Sequence, residues 1–190
     1  MSRTLVGLSI VVVGVLTAYG QGWFGDATAS LANSAGPWSL TAFLVARTCP
    51  RWPAAIVCAV STLSCCELGY ALATEVRGGS NAASTVTFWL VAALLAGPPL
   101  GVAGTWSSGA GMRRGVGFAV IGGVLVGEGV YGWTTIADTT DWRYWAVEVA
   151  VGVIVVAVAV AASRRARVSL GTVAMAAATA LVVFGAARLV

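Results

Sequence analysis

Three carboxyls stand inside apolar sequence: Glu67 in "LSCCELGYAL", Glu128 in "VLVGEGVYGW" and Glu148 in "WAVEVAVGV". Glu67 and Glu128 are each followed three residues later by a tyrosine, Tyr70 and Tyr131. On a helix that spacing puts acid and hydroxyl on neighbouring positions, close enough for a hydrogen bond. A carboxylate at the centre of a bilayer costs roughly 2.5–3.5 kcal/mol on insertion scales, so such groups turn inward, find partners or stay protonated. A fourth feature is "SLANSAGPW", where Asn33, Ser34, Gly36 and Pro37 interrupt the apolar text just before Trp38. The candidate site is therefore Glu67, Tyr70, Glu128, Tyr131 and Glu148, with Asn33 and Trp38 beside it. Its negative charge suits a small cation, an amine-bearing solute or a transferable proton. The competing reading makes the same acids interhelical glue, or interfacial groups that reach water, and Glu148 is the one nearest a surface.

Several chemistries are excluded by residue type. The chain has no histidine and no lysine, which removes imidazole bases, histidine metal or haem ligands and lysine Schiff bases. Cys49, Cys58, Cys65 and Cys66 lack metal-ligand or CxxC spacing and read as small buried hydrophobes. No cofactor, no metal centre and no enzymatic activity is expected. The net charge of +4 calls for no nucleic-acid partner, because the distribution of arginine follows membrane topology.

The elements that must carry these residues are membrane helices. Hydrophobic residues make up 58%, charged residues 9%, and the mean hydropathy is +0.89, far from the roughly 25% charged content of soluble domains. Apolar runs of helical, not alternating, composition recur and are long enough to cross about 30 Å of hydrocarbon. Seven segments follow, about 4–20, 35–47, 53–74, 84–104, 115–135, 143–162 and 168–188. The chain is read as all-α: one integral membrane domain over 1–190, a polytopic bundle of seven spans with a cytoplasmic N-terminus. The number falls to six if the second segment does not cross or the first is processed. "LTAYGQGW" offers no A-x-A-like cleavage site, so the first segment is expected to be retained.

Orientation comes from arginine. Arg3, Arg47, Arg51, Arg113, Arg114, Arg164, Arg165 and Arg167 fall on one side, against Arg77, Arg143 and Arg188 on the other. The richer side is cytoplasmic by the positive-inside rule. Trp23, Trp38, Trp89, Trp133, Trp142 and Trp145 then lie toward the outer interface, with Trp52 and Trp106 at the inner one. At 1.5 Å per residue, Glu67 and Glu128 lie about 24 and 21 Å from the inner edge, and Glu148 about 10 Å below the outer edge. All three therefore share a depth in the outer half.

The second segment is the weakest span, since Pro37–Arg47 reaches roughly 16 Å. A short helix starting near Pro37 below the outer surface fits better than a straight crossing. Glu67 with Tyr70 aligns at one offset with Glu128 and Tyr131, which suggests hairpin repeats over 35–74 and 84–135. The last two segments would be a third copy without the acid. Pro98 and Pro99 are expected to kink the fourth segment. Gly97 with Gly101 and Gly123 with Gly127 permit close helix contact, within the chain or with a partner subunit. The alanines of residues 174–180 offer a smooth surface for either. "SRRAR" (163–167) reads as a topology signal with weak anionic-lipid contact.

"LTAYGQGW", "LANSAGPW" and "EGVYG" resemble a family of small bacterial multi-pass membrane proteins of unknown function. The resemblance implies a membrane fold over most of the chain and supplies no activity. In size and outer-half polar site the chain is also similar to the substrate-capture subunits of energy-coupling-factor transporters, although those have six helices with both ends inside. Two functions follow as expectations: a solute- or cation-binding membrane protein in transport, or a non-catalytic scaffold or accessory subunit. The partners implied are the lipid bilayer, a small amine or cation, and a partner membrane subunit.

Overall fold

The computed structural model describes residues 14–19, 30, 34–163 and 165–188. Residues 14–19 are helical, and six helices follow: α1 Gly36–Arg47, α2 Trp52–Val76, α3 Ala83–Ser107, α4 Gly111–Thr135, α5 Trp142–Ala161 and α6 Ala166–Ala187. No strand occurs among the described residues. Helices α2 to α6 are each long and apolar enough to cross a membrane. Their outward positions are apolar as well, Leu95, Leu170 and Leu181 among them, as expected of helices solvated by lipid. The chain is a polytopic helix bundle. The first expected span, about 4–20, falls largely outside the described residues.

The second segment does not cross as a helix. Helix α1 has 12 residues, about 18 Å at the helical rise, against a hydrocarbon core of about 30 Å. Its start is fixed by Pro37 in the first turn, whose ring cannot accept a preceding helical turn. Its other end, Arg47, lies on the arginine-rich side, so α1 begins at membrane depth and runs to the surface. Residues 14–19 and α1 meet α2 from the same side: Trp38 Nε1–H donates to Thr17 Oγ1 at 3.2 Å, and Arg77 Nη1 donates to the Ala18 carbonyl.

Local signals account for the other helix ends. Helix α2 stops in a Schellman turn: Gly78 adopts φ +81°, Gly78 N–H donates to Glu75 O at 2.9 Å, and Gly79 N–H donates to Thr74 O at 3.0 Å. Only glycine enters that left-handed conformation without penalty. Helix α5 starts on Asp141, whose carboxylate accepts from Arg143 N–H at 2.8 Å. Helix α3 is one element from Ala83 to Ser107 with Pro98 and Pro99 inside it.

Helix α4 is the centre of the bundle, packed on α6, α5, α3 and α1. Glycine permits this crowding. A Cβ on Gly123 would stand 2.6 Å from the Ala176 carbonyl, and one on Gly127 would collide with that of Ala180. The α2–α3 seam is similar, with Gly101 backed onto Ile56 and Gly97 onto Val60. Both small-xxx-small pairs and part of the alanine run are therefore used within the chain. A second core joins Phe43 and Ala46 of α1 to Ala55 and Ala59 of α2 and Leu100 of α3. One of the tryptophans expected near the outer interface faces protein. Trp145 is fully buried, packs on Gly132 and donates from Nε1 to Thr140 Oγ1 at 2.8 Å. The missing side chain at Gly132 leaves the space an indole fills. Trp133 and Trp142 stay exposed with rings 6.0 Å apart.

Candidate functional site

The buried carboxyls and Ser34 gather at the N-terminus of α1. A helix start leaves amide donors without intrahelical partners, and Ala35, at the N-cap, has no side chain that could accept from them. The missing acceptor comes from α4: Ala35 N–H donates to Glu128 Oε1 at 2.6 Å. Ser34 Oγ accepts from Gly36 N–H at 3.3 Å and reaches Glu148 Oε1 of α5 at 3.5 Å. A Cβ on Gly36 would overlap the Glu148 carboxyl, so glycine lets that acid touch the chain at its bend. The Tyr144 hydroxyl, one helical turn before Glu148, faces Ser34 and both acids.

Glu67 of α2 approaches the same turn from another side. It lines a narrow pocket of about 30 Å³ with Ser34 and Ala35. The pocket's aromatic walls are Trp38, Tyr70 and Trp89, and Asn81 and Thr85 at the α2–α3 end complete it. The Trp38 and Tyr70 rings meet edge to face, centroids 6.0 Å apart. Asn81 is held there by donating to the Ala71 carbonyl at 3.0 Å. The volume admits a group about the size of one water.

The electrostatics are one-sided. Glu67, Glu128 and Glu148 are 4%, 8% and 6% exposed, and no arginine stands among the groups acting on any of them. Glu128 and Glu148 act on one another, whereas Glu67 shares with them only the Ser34–Ala35 turn. Glu148 Oε2 is buried with no hydrogen-bond partner among the described residues. Two buried carboxyls without a counter-charge cannot both remain bare anions, because the desolvation cost far exceeds what one amide bond returns. The pair must hold a proton or a cation. Among the described residues, no three acidic or thiol side chains are placed to hold a metal ion.

The sequence-predicted residues divide. Glu67, Tyr70 and Trp38 line the pocket, and Glu128 and Glu148 meet behind the same turn. Tyr131 points elsewhere, its ring 6.5 Å from that of Phe184 on α6. Asn33 lies outside the described residues. Residues that the sequence did not single out include Tyr144, Asn81, Thr85 and Trp89, with Ser34 read only as part of the helix break. Tyr144 sits among tryptophans and looks like interfacial decoration. The Ala35 amide has no signal in sequence, since every residue but proline carries one.

All four cysteines are free thiols. Cys49, in the α1–α2 connection, lies 3.2 Å sulfur to sulfur from Cys58, at the opposite end of α1 from the acids. Neither thiol belongs to the site.

No curated protein and no solved structure matches this chain. A family model matches residues 3–190. The chain belongs to DUF6518, a family of unknown function.

Proposed function

We propose that the chain binds a small monovalent cation, with a proton and ammonium-type ions among the candidates, at the Glu128–Glu148 pair. The site is reached through the Glu67 pocket, and the protein serves transport, alone or as the substrate-binding subunit of a larger membrane assembly. The membrane is a bacterial inner membrane with the pocket toward the outside, a reading supported by the arginine asymmetry and by the family resemblance. The observation that carries the proposal is the buried Glu148 Oε2, which among the described residues has no hydrogen-bond partner and, like the second buried acid beside it, no arginine acting on it. Intramembrane acids of this kind mark ion and proton pathways. The start of a half-length helix at membrane depth is where transporters place their binding sites. The aromatic walls add faces on which an ammonium group is favoured.

One observation favours the scaffold reading instead. The Ala35 amide bond makes Glu128 a cap for α1, a structural duty that requires no ligand. The two readings differ in what Glu148 does.

Thermal unfolding of the purified full chain in detergent separates them. Sodium, potassium, ammonium and methylammonium chlorides are titrated at constant ionic strength against choline chloride, with pH varied in parallel. The transport reading expects a saturable rise in Tm with one ion, or a pH dependence, that Glu148→Gln removes. If no ion shifts Tm saturably and the pH profile is the same in wild type and Glu148→Gln, the acids are glue.

A further inference from the structure

A second cavity stands apart from the acids. It lies at the opposite, arginine-rich end, where α4 and α6 begin and α5 ends. Its volume is about 510 Å³, and its lining includes Gly111, Arg114, Ala159, Ser163, Arg165 and Val168. Among the described residues, no acidic side chain lines it. Arg114 and Arg165 are both exposed, so their guanidinium groups are free to turn toward an incoming anion. Gly111, at φ +60°, brings the start of α4 to the cavity with no side chain over it. Both α4 and α6 open here without a side-chain cap, so the positive ends of two long helices add to the arginine charge. The walls change character toward the bilayer: Ala159 and Val168 line the cavity, and their neighbours Val158 and Leu170 are exposed.

We infer that this cavity binds the phosphate headgroup of an anionic phospholipid. Arginine pairs phosphate oxygens in a bidentate fork, and the positive-inside end of a bundle lies at the level of headgroup phosphates. A volume of 510 Å³ falls in the range of small-molecule sites, roughly 300–1,000 Å³. That is more than a bare phosphate ion fills, and it leaves room for glycerol and the headgroup alcohol. The apolar rim continues into the lipid face of α5 and α6, along which acyl chains can lie. This reading is independent of the cation site.

The test is native mass spectrometry and thermal unfolding of the full chain with phosphatidylglycerol, phosphatidylcholine and inorganic phosphate. Phosphatidylglycerol is expected to be retained and to raise Tm, with phosphatidylcholine at least tenfold weaker. The Arg114→Gln/Arg165→Gln double variant should lose about tenfold in retention, as removal of two charge-assisted contacts predicts. Arg113→Gln/Arg167→Gln, two arginines outside the lining, should lose much less. Arg165→Gln alone guards against a folding defect in the double variant, since its side chain is exposed and should leave Tm in lipid-free detergent unchanged. The inference fails if phosphatidylcholine is retained equally, or if the two double variants lose retention equally. It also fails as a lipid site if inorganic phosphate stabilises the protein as strongly as phosphatidylglycerol.

Discussion

The Ala35 amide donates to Glu128 Oε1 across 2.6 Å, so a carboxyl on one helix closes the open end of another. The contact joins residues on α4 and just before α1, and it explains how a 12-residue helix can start at membrane depth. Unpaired backbone groups are tolerated there only when protein covers and satisfies them.

Removing the acceptor should therefore loosen α1. Glu128→Ala is expected to cost about 1–3 kcal/mol, the penalty for leaving a buried donor unsatisfied. Glu128→Gln keeps a carbonyl oxygen at the same reach and should cost less than half as much. Thermal or chemical unfolding in detergent checks the difference. Equal losses in the two variants would show that the amide bond is not what Glu128 contributes.

Glu148 should behave in the opposite way. Its Oε2 is buried with no hydrogen-bond partner among the described residues, so the carboxyl is a burden on the fold unless something binds it. Glu148→Gln is expected to leave Tm unchanged or higher in buffer free of the bound cation. A cation at a hundredfold excess over its Kd stabilises wild type by about 2.7 kcal/mol through mass action, and the variant should lose that gain. A variant that is both less stable and still cation-responsive contradicts the assignment.

Much of this arrangement was legible in the sequence, for physical reasons that apply residue by residue. Helical rise and the arginine pairs put Glu67, Glu128 and Glu148 at one depth, and all three do reach the Ser34–Gly36 turn. Proline and the polar residues before it gave away the short α1. Face and partner were harder. Tyr131 is only three residues from Glu128, yet its ring has Phe184 to pack against and turns to α6. Trp145 is expected at a given depth, but its burial depends on the space over Gly132 of another helix, which its own helix does not encode. The Ala35 amide and Tyr144 depend on which helices become neighbours, and periodicity within one helix does not encode that.

Packing at the α4–α6 seam makes a sharper prediction. A Cβ on Gly127 would collide with the Ala180 carbonyl, whereas one on Gly185 meets nothing within 4 Å. Gly127→Val must push two backbones apart and should cost about 1–3 kcal/mol or more, the usual cost of overpacking. Gly185→Val should be close to neutral. Paired unfolding measurements decide the matter. A neutral Gly127→Val would mean that α6 is not seated on α4, and the alanine run would be available to a partner subunit.

The thiol pair allows the α1–α2 connection to be probed chemically. Burial, reinforced by the neighbouring Cys58, pushes the Cys49 thiol up to about 11. The thiolate is the reactive form, so at neutral pH Cys49 is protonated and should alkylate slowly. The sign follows directly: labelling by a small maleimide should climb as pH rises toward 11 and should not level off near the ordinary thiol range. Cys58→Ser removes the neighbour that helps keep Cys49 protonated, so its labelling should become faster at a given pH. Mass spectrometry of the labelled peptide reads both effects, with Cys65→Ser and Cys66→Ser in the background to isolate the site. A Cys49 labelling curve that saturates near pH 8.5 and ignores Cys58→Ser would mean that the two sulfurs are not neighbours, and the packing of the connection onto α2 would have to be redrawn.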